Sequence, residues 1–109
     1  MIRIYHNSRC SKSRATLALL EGREVEVMNY LDTPPDAAEL KQLLKLLGIP
    51  VRQLLRTNEA VYHELGLADP ALGDDAAMVA HPILIERPIV VANGKAAIGR
   101  PPAAVLAIL

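Results

Sequence analysis

The pattern of apolar and polar residues at the beginning of the chain predicts a strand followed by a helix. Apolar positions alternate with polar ones over residues 2–5, and the alternation stops at Asn7. Over residues 11–20 the spacing becomes helical, with Leu17 and Leu20 on one face. The first predicted feature is therefore a short strand that runs through a polar loop into a helix.

Alternation returns in the segment EVEVMNY, residues 24–30, which predicts a second strand. Val25 and Val27 of this strand are expected to point inward. Two short strands joined by one helix within about 30 residues form a right-handed βαβ unit, so these strands should be parallel.

The middle of the chain has helical spacing. Asp36 is expected to cap a helix that ends at Gly48. From residue 50 to residue 80 the pattern indicates shorter helices, interrupted by the segment GLADPALGDD. An all-helical insertion is therefore predicted over approximately residues 36–80. The apolar face of its first helix consists of Leu40, Leu43, Leu44 and Leu47.

Two short apolar runs near the end of the chain predict a β-hairpin and a final helix. Pro88 begins the first run, and the Asn-Gly pair at residues 93–94 separates it from the second, residues 95–98. Asn-Gly favours a type I′ turn, because both central positions need a positive φ. The prolines at residues 101–102 can open a helix, since a missing N–H costs little in the first turn.

The order of these elements is β-α-β, then helices, then β-β-α. It predicts an α/β fold, in which helices cover a mixed four-stranded sheet in the thioredoxin-like arrangement. At 109 residues the chain is long enough for one hydrophobic core, so residues 1–109 are predicted to form a single domain. The sequence contains neither Phe nor Trp, so this core must be aliphatic.

The charge balance argues against nucleic acid or a membrane surface as a partner. Twelve basic residues offset twelve acidic ones, so any anion site must be local. No apolar run approaches the ~18 residues of a membrane span, and the beginning of the chain has no run of signal-peptide length. The single cysteine fits a reducing compartment, and we expect a cytoplasmic protein.

That cysteine, Cys10, lies where the first strand passes into the first helix. If the helix begins there, unpaired backbone N–H groups and the helix dipole favour the thiolate and form a ready anion site. His6 and Arg14, four residues away on either side, are expected to add positive potential, as are Arg9 and Lys12. A lone cysteine is more often a small buried apolar residue, but a polar, basic loop is a poor place for one.

Three arginines later in the chain are candidates for binding an oxyanion: Arg56, Arg87 and Arg100. Arginine suits a tetrahedral oxyanion, because its planar fork gives two parallel, charge-assisted hydrogen bonds and stays protonated. Spacing alone does not show that the three converge, and an arginine taken singly is more often a solvated surface residue than a functional one. No metal site is expected, since His63 and His81 have no partner at zinc spacing.

Several segments together resemble the glutaredoxin-coupled arsenate reductases. They are IYHNSRCSKSRATL, YLDTPP, GIPVRQLLRTNEAVYHELGL, HPILIERPIVV and IGRPPAAVLAIL, in this order along practically the whole chain. The family's His-x3-Cys-x3-Arg signature is present as His6, Cys10 and Arg14. The resemblance implies a thioredoxin-like fold with a helical insertion, and reduction of arsenate to arsenite at the expense of glutathione and glutaredoxin.

The resemblance also implies roles for individual residues. Cys10 would attack arsenate and form a thiol-arsenate adduct, and His6 would help to keep the thiolate. The arginines at positions 56, 87 and 100 would bind the oxyanion, with Ser13 and Arg14 in support. The peptide bond before Pro88 would be cis.

The cysteine count agrees with this chemistry. Once Cys10 has attacked arsenic, a second thiol must resolve the adduct, and this sequence has no other cysteine. The resolving thiols must therefore come from other molecules. Glutathione as co-substrate and glutaredoxin as partner meet that need, and no bound cofactor is expected.

Two other functions stay open at this point. Spx-type proteins share the architecture, bind RNA polymerase and sense redox state, but they typically carry Cys-x-x-Cys at the helix start. Here the second position is Ser13, which excludes an intramolecular disulfide switch. The other alternative is a thiol oxidoreductase that acts on glutathione mixed disulfides.

Overall fold

A computed structural model describes residues 2–57, 59–66 and 74–109, with residues 74–76 described by their backbone only. The chain divides into two compact units. One unit comprises residues 1–33 and 87–109, and the other comprises residues 34–86. The prediction that the whole chain is a single domain stays a prediction.

The first unit contains a four-stranded mixed sheet, as predicted for this fold class. The strand order is β2-β1-β3-β4, with β1 parallel to β2 and antiparallel to β3, and with β3 antiparallel to β4. The strands are β1 (Ile2–His6), β2 (Val25–Asn29), β3 (Ile89–Ala92) and β4 (Lys95–Ile98).

Helix α1 (Ser11–Leu19) forms the predicted crossover between the two parallel strands. The core beneath it is aliphatic, as the composition requires. Ile4, Leu20, Val90 and Val105 form one buried cluster, each no more than 1% exposed. This cluster joins β1, β3 and the residues around α1, so the beginning and the end of the chain share one core.

One expectation for β2 is wrong. Val25 packs against the buried cluster as predicted, but Val27, on the same face, is 42% exposed. The reason is position, because β2 is an edge strand of the sheet. Alternation showed which face Val27 would occupy, and it carried no information about what would cover that face.

The predicted hairpin is confirmed. Asn93 and Gly94 have φ values of 55° and 72°, as a type I′ turn between β3 and β4 requires. The predicted final helix is present as a 3₁₀-helix, Pro102–Ile108, with its proline in the first turn. The side chain of Asn93 donates to the carbonyl of Ile108 over 2.9 Å, which ties the hairpin to this last element.

The second unit is helical within its described residues. Asp36 caps its first helix by accepting the N–H of Glu39 over 2.8 Å, and Gly48 ends that helix in the left-handed conformation with a φ of 67°. The helices are α2 (Ala37–Leu47), α3 (Val51–Leu54), α4 (Ala60–Glu64), α5 (Asp74–Ala80) and a 3₁₀-helix, Pro82–Leu84. These elements lie within the predicted helical insertion or next to it.

Gly99, between β4 and the last 3₁₀-helix, allows two elements of the first unit to approach closely. A Cβ at this position would lie 2.8 Å from Cγ of Pro88 and would also collide with the side chain of Thr16 on α1. Only glycine therefore lets the end of β4 pass beside α1.

No helix in the described part of the chain is long and apolar enough to cross a membrane.

Candidate active site

Cys10 is the N-cap residue of α1, as predicted. Its φ of −95° and ψ of 122° are extended, while its carbonyl already accepts the N–H of Arg14 over 3.0 Å. Its side chain forms no capping hydrogen bond, and the residue is 8% exposed. The sulfur is therefore held at the positive end of the helix dipole, beside the N–H groups of the first helical turn.

The loop before Cys10 is a tight turn built by Asn7. The Asn7 carbonyl accepts the N–H of Cys10 over 3.0 Å, and the Asn7 side-chain oxygen accepts the N–H of Arg9 over 3.0 Å. Arg14 closes the loop from the helix, because its Nη1 donates to the carbonyl of Ser8 over 2.8 Å. Asn7 was not among the residues predicted for this site. The sequence did contain a signal for it. An Asn side chain just before a helix start often accepts the backbone N–H two residues further along the chain.

A buried polar group connects this turn to the helix. The Ser13 side chain is fully buried, and its Oγ accepts the backbone N–H of Asn7 over 3.0 Å. The same Oγ lies 2.7 Å from Nδ1 of His6. Because the serine oxygen already accepts from Asn7, its own hydrogen can be donated to Nδ1, which leaves the imidazole proton on Nε2.

His6 is held as a neutral imidazole. Burial, and then the positive charge of Arg14, lower the pKa of His6 below its ordinary value. The expectation that His6 adds positive potential near Cys10 is therefore wrong. A ring that is already buried cannot easily take up a proton beside an arginine.

A positively charged residue near the end of the chain, Arg100, contacts the Cys10 thiol. Nη2 of Arg100 donates to Sγ of Cys10 over 3.7 Å, although the two residues are ninety positions apart. Nε of the same guanidinium donates to the carbonyl of Arg87 over 2.8 Å. One arginine thus contacts the sulfur and fixes the backbone of a second arginine.

The hairpin explains why Arg87 and Arg100 are neighbours. Ile89 pairs with Ile98, and the N–H of Gly99 donates to the carbonyl of Pro88 over 2.9 Å, so the pairing continues past the ends of both strands. Extending the register places Arg87 opposite Arg100. The Arg87 side chain is buried, and the peptide bond between Arg87 and Pro88 is cis, as the resemblance implied.

Arg56 belongs to the helical unit. Its guanidinium pairs with the carboxylates of Glu59 and Glu86, the latter at 3.7 Å. Its backbone N–H donates to the carbonyl of Leu84 over 2.7 Å, next to a bridge that pairs Leu55 with Ile85. Its role as a third oxyanion ligand rests on the resemblance and stays a prediction.

The histidines outside this site are placed in the helical unit. His63 is exposed, and its ring meets Tyr62 edge-on at 5.3 Å between centroids. His81 donates its backbone N–H to the carbonyl of Ala77 over 2.8 Å. Among the described residues, no group of three or more His, Cys, Asp or Glu side chains is arranged to hold a metal ion.

Comparison with known proteins assigns the chain to a family. The ArsC family model matches residues 5–108. The uncharacterized protein YfgD of Escherichia coli is 59% identical over 99% of this chain and 96% of its own length. An arsenate reductase of Neisseria meningitidis is 56% identical over 92% of this chain and 91% of its own length.

Similar solved structures support the same family assignment. The structure of an arsenate reductase from Vibrio cholerae superposes with a TM-score of 0.95 at 54% identity, covering 99% of this chain and 97% of that one. The structure of a putative arsenate reductase from Yersinia pestis superposes with a TM-score of 0.92, also at 54% identity, covering 99% of this chain and 100% of that one. The chain therefore belongs to the ArsC family.

Proposed function

We propose that this protein reduces arsenate to arsenite and that Cys10 is the nucleophile. The observation that carries the proposal is the contact between the Arg100 guanidinium and Cys10 Sγ at the start of α1. A cation beside a thiol at a helix N-terminus favours the thiolate, which is the nucleophilic form. Relatives named arsenate reductase supply the substrate class.

Arsenate binding would use the charged and polar groups that meet around the sulfur. The N–H groups of the first turn of α1 point away from the helix and have no capping side chain from Cys10. The Arg87 and Arg100 segments lie side by side at the end of the hairpin. Together these donors match a small tetrahedral anion, and they would stabilise charge that develops on its oxygens.

In the first step, the Cys10 thiolate attacks arsenic, and a sulfur–arsenic bond forms. Dihydrogen arsenate and one proton enter, one arsenate oxygen leaves as water, and arsenic stays in its +5 state. The product is a thiol-arsenate ester with one negative charge. The thiolate and dihydrogen arsenate together carry two negative charges, and the incoming proton neutralises one of them as the hydroxyl leaves as water.

The second stage needs two thiols from other molecules. A glutathione thiol replaces a further arsenic-bound oxygen, which leaves as water. A glutaredoxin thiol then attacks the glutathione sulfur, and the bond between that sulfur and arsenic breaks. A glutaredoxin–glutathione disulfide leaves, the electron pair of the broken bond stays on arsenic, which becomes arsenic in its +3 state, and the thiol proton passes to an arsenic-bound oxygen. Water finally releases arsenite and returns the Cys10 thiol. No other cysteine is available in the chain to take either part.

The remaining polar residues of the site would act as positioning residues. Ser13 orients the neutral His6 ring and receives the N–H of Asn7, while Arg14 holds the carbonyl of Ser8. These bonds keep the nucleophile loop in one geometry. A neutral imidazole adds no positive charge to the site, so the thiolate would depend on Arg100 and the helix N-terminus.

The partners follow from the chemistry. We propose that glutathione serves as co-substrate, that glutaredoxin serves as partner, and that no cofactor is bound. A reaction that consumes glutathione fits the reducing cytoplasm. Ser13 supports an enzyme over a disulfide switch, because the position where a second thiol would stand is a fully buried, hydrogen-bonded serine.

The substrate is tested in an assay that couples NADPH consumption to glutathione, glutaredoxin and arsenate. We expect arsenate-dependent oxidation of NADPH by the wild-type protein and only background with Cys10→Ser, because an alcohol is a far weaker nucleophile than a thiolate. Equal arsenate-dependent rates in the two proteins, or no arsenate dependence in either, would contradict the proposal.

Replacing Arg100 tests the source of positive charge. Arg100→Gln should lower kcat/KM for arsenate about 100-fold or more, the usual effect of removing one preorganised donor from an oxyanion site. The rate of Cys10 alkylation at neutral pH should fall as well, since the thiolate is the form that reacts. Arg23→Gln, an exposed arginine outside the site, is the matched control, and an equal loss in both variants would count against the assignment.

The state of His6 can be measured by an NMR pH titration of its ring. We expect its midpoint below the ordinary value of about 6.5. Unfolding then takes up a proton at mildly acidic pH, so the free energy of unfolding should fall as the pH is lowered from about 6.5 towards the folded-state pKa. His6→Gln should remove this part of the pH dependence, and a midpoint at or above 6.5 would refute the neutral-ring account.

A further inference from the structure

A polar cavity opens beside the loop that precedes Cys10. Its volume is about 300 Å³, at the lower end of the range for small-molecule sites. It is lined by Asn7, Ser8, Arg9, Asn29, Leu31 and Asp32. These residues come from the loops that follow β1 and β2.

Strand geometry puts the cavity where α/β proteins commonly bind ligands. β1 and β2 are parallel, and His6 pairs with Asn29 in their last register position. The two loops therefore leave the sheet side by side at the carboxyl ends of the strands. Crevices at this edge of an open α/β sheet are the usual place for ligands.

The backbone of both loops is fixed by hydrogen bonds, while the charged side chains stay open. On one side the Asn7 side chain holds the N–H of Arg9, and on the other the Asn29 carbonyl accepts the N–H groups of Asp32 and Thr33 over 3.0 and 2.9 Å. The Arg9 and Asp32 side chains are exposed, and neither forms an ion pair with another described residue.

The lining therefore presents one positive and one negative group, together with amide and hydroxyl groups. A simple oxyanion would be repelled by Asp32, and a simple cation would be repelled by Arg9. A zwitterion that carries an ammonium and a carboxylate on one carbon satisfies both. The α-amino-acid end of a peptide-like metabolite has this chemistry.

We propose that this cavity binds the γ-glutamyl end of glutathione, with its carboxylate on Arg9 and its ammonium on Asp32. The identity of the thiol rests on the proposed function. The turn from Asn7 to Cys10 keeps their Cα atoms within about 7 Å. The thiol of glutathione lies on the residue next to the γ-glutamyl end, and two residues span up to about 7 Å, so glutathione anchored here can bring its thiol to an adduct on Cys10.

Binding is measured first without arsenate or turnover, using S-methylglutathione, which cannot react. Isothermal titration with the wild-type protein should show binding, and Arg9→Gln and Asp32→Asn should each weaken it about ten-fold, the effect of losing one charge-assisted hydrogen bond. Asp32→Asn keeps the side-chain size, Arg9→Gln removes the charge but keeps a polar side chain, and both changes keep the backbone bonds of the loops. Arg23→Gln should leave the affinity unchanged. Equal affinity of the wild type and Arg9→Gln would overturn the proposal.

Kinetics then separates glutathione from other occupants. We expect Arg9→Gln to raise the KM for glutathione about ten-fold while the KM for arsenate stays constant. The rate with dithiothreitol, which has no charged groups, should not change. A rise in the KM for arsenate alone would make the cavity an anion site, and a rise in the KM for glutaredoxin alone would make it a protein contact; either result would overturn the proposal.

The two proposals can fail separately. If the wild-type protein does not reduce arsenate but S-methylglutathione binding still depends on Arg9 and Asp32, the glutathione site is supported and the proposed reductase activity is refuted. If arsenate is reduced and neither Arg9→Gln nor Asp32→Asn alters S-methylglutathione binding, the glutathione site is refuted and the reductase activity is supported.

Discussion

The contact between Arg100 and Cys10 is the constraint on which the geometry of the candidate active site depends. It joins residues ninety positions apart, so it exists only if β4 ends beside the start of α1. Three features make that possible: a shared aliphatic core beneath β1 and α1, a hairpin that places Arg87 opposite Arg100, and a glycine at position 99 where any side chain would meet Thr16 and Pro88. The strand order of the sheet therefore places the Arg100 guanidinium beside the Cys10 thiol.

Much of the fold was predictable from the sequence, because its signals are local. The Asn-Gly turn requires positive φ at two positions, Asp36 caps the helix that follows it, and Cys10 stands where a strand pattern gives way to a helix pattern. What could not be predicted depends on neighbours distant in sequence. Val27 is exposed because its strand lies at the sheet edge, a fact that alternation does not contain.

The candidate site, like the fold, was predictable from the sequence only in part. The sequence identified Cys10, Arg87 and Arg100, but only the register of the hairpin shows that the arginines are adjacent and that one contacts the sulfur. The sequence also suggested a charged His6, whereas burial and Arg14 keep it neutral, and burial is a property of the folded chain. Asn7 was missed, since its three hydrogen bonds to the loop and helix become visible only when the turn is formed.

In the proposed reaction one thiol of the protein begins the chemistry and thiols of other molecules must finish it. This division can be measured by incubating the protein with arsenate in the absence of any added thiol, and then determining both arsenite and the fraction of Cys10 that can be alkylated. We expect Cys10 to become protected, with a mass increase for bound arsenic, and arsenite to form only after glutathione and glutaredoxin are added. Arsenite formed without added thiol, or Cys10 alkylated as fast with arsenate as without it, would show that Cys10 does not begin the reaction in this way.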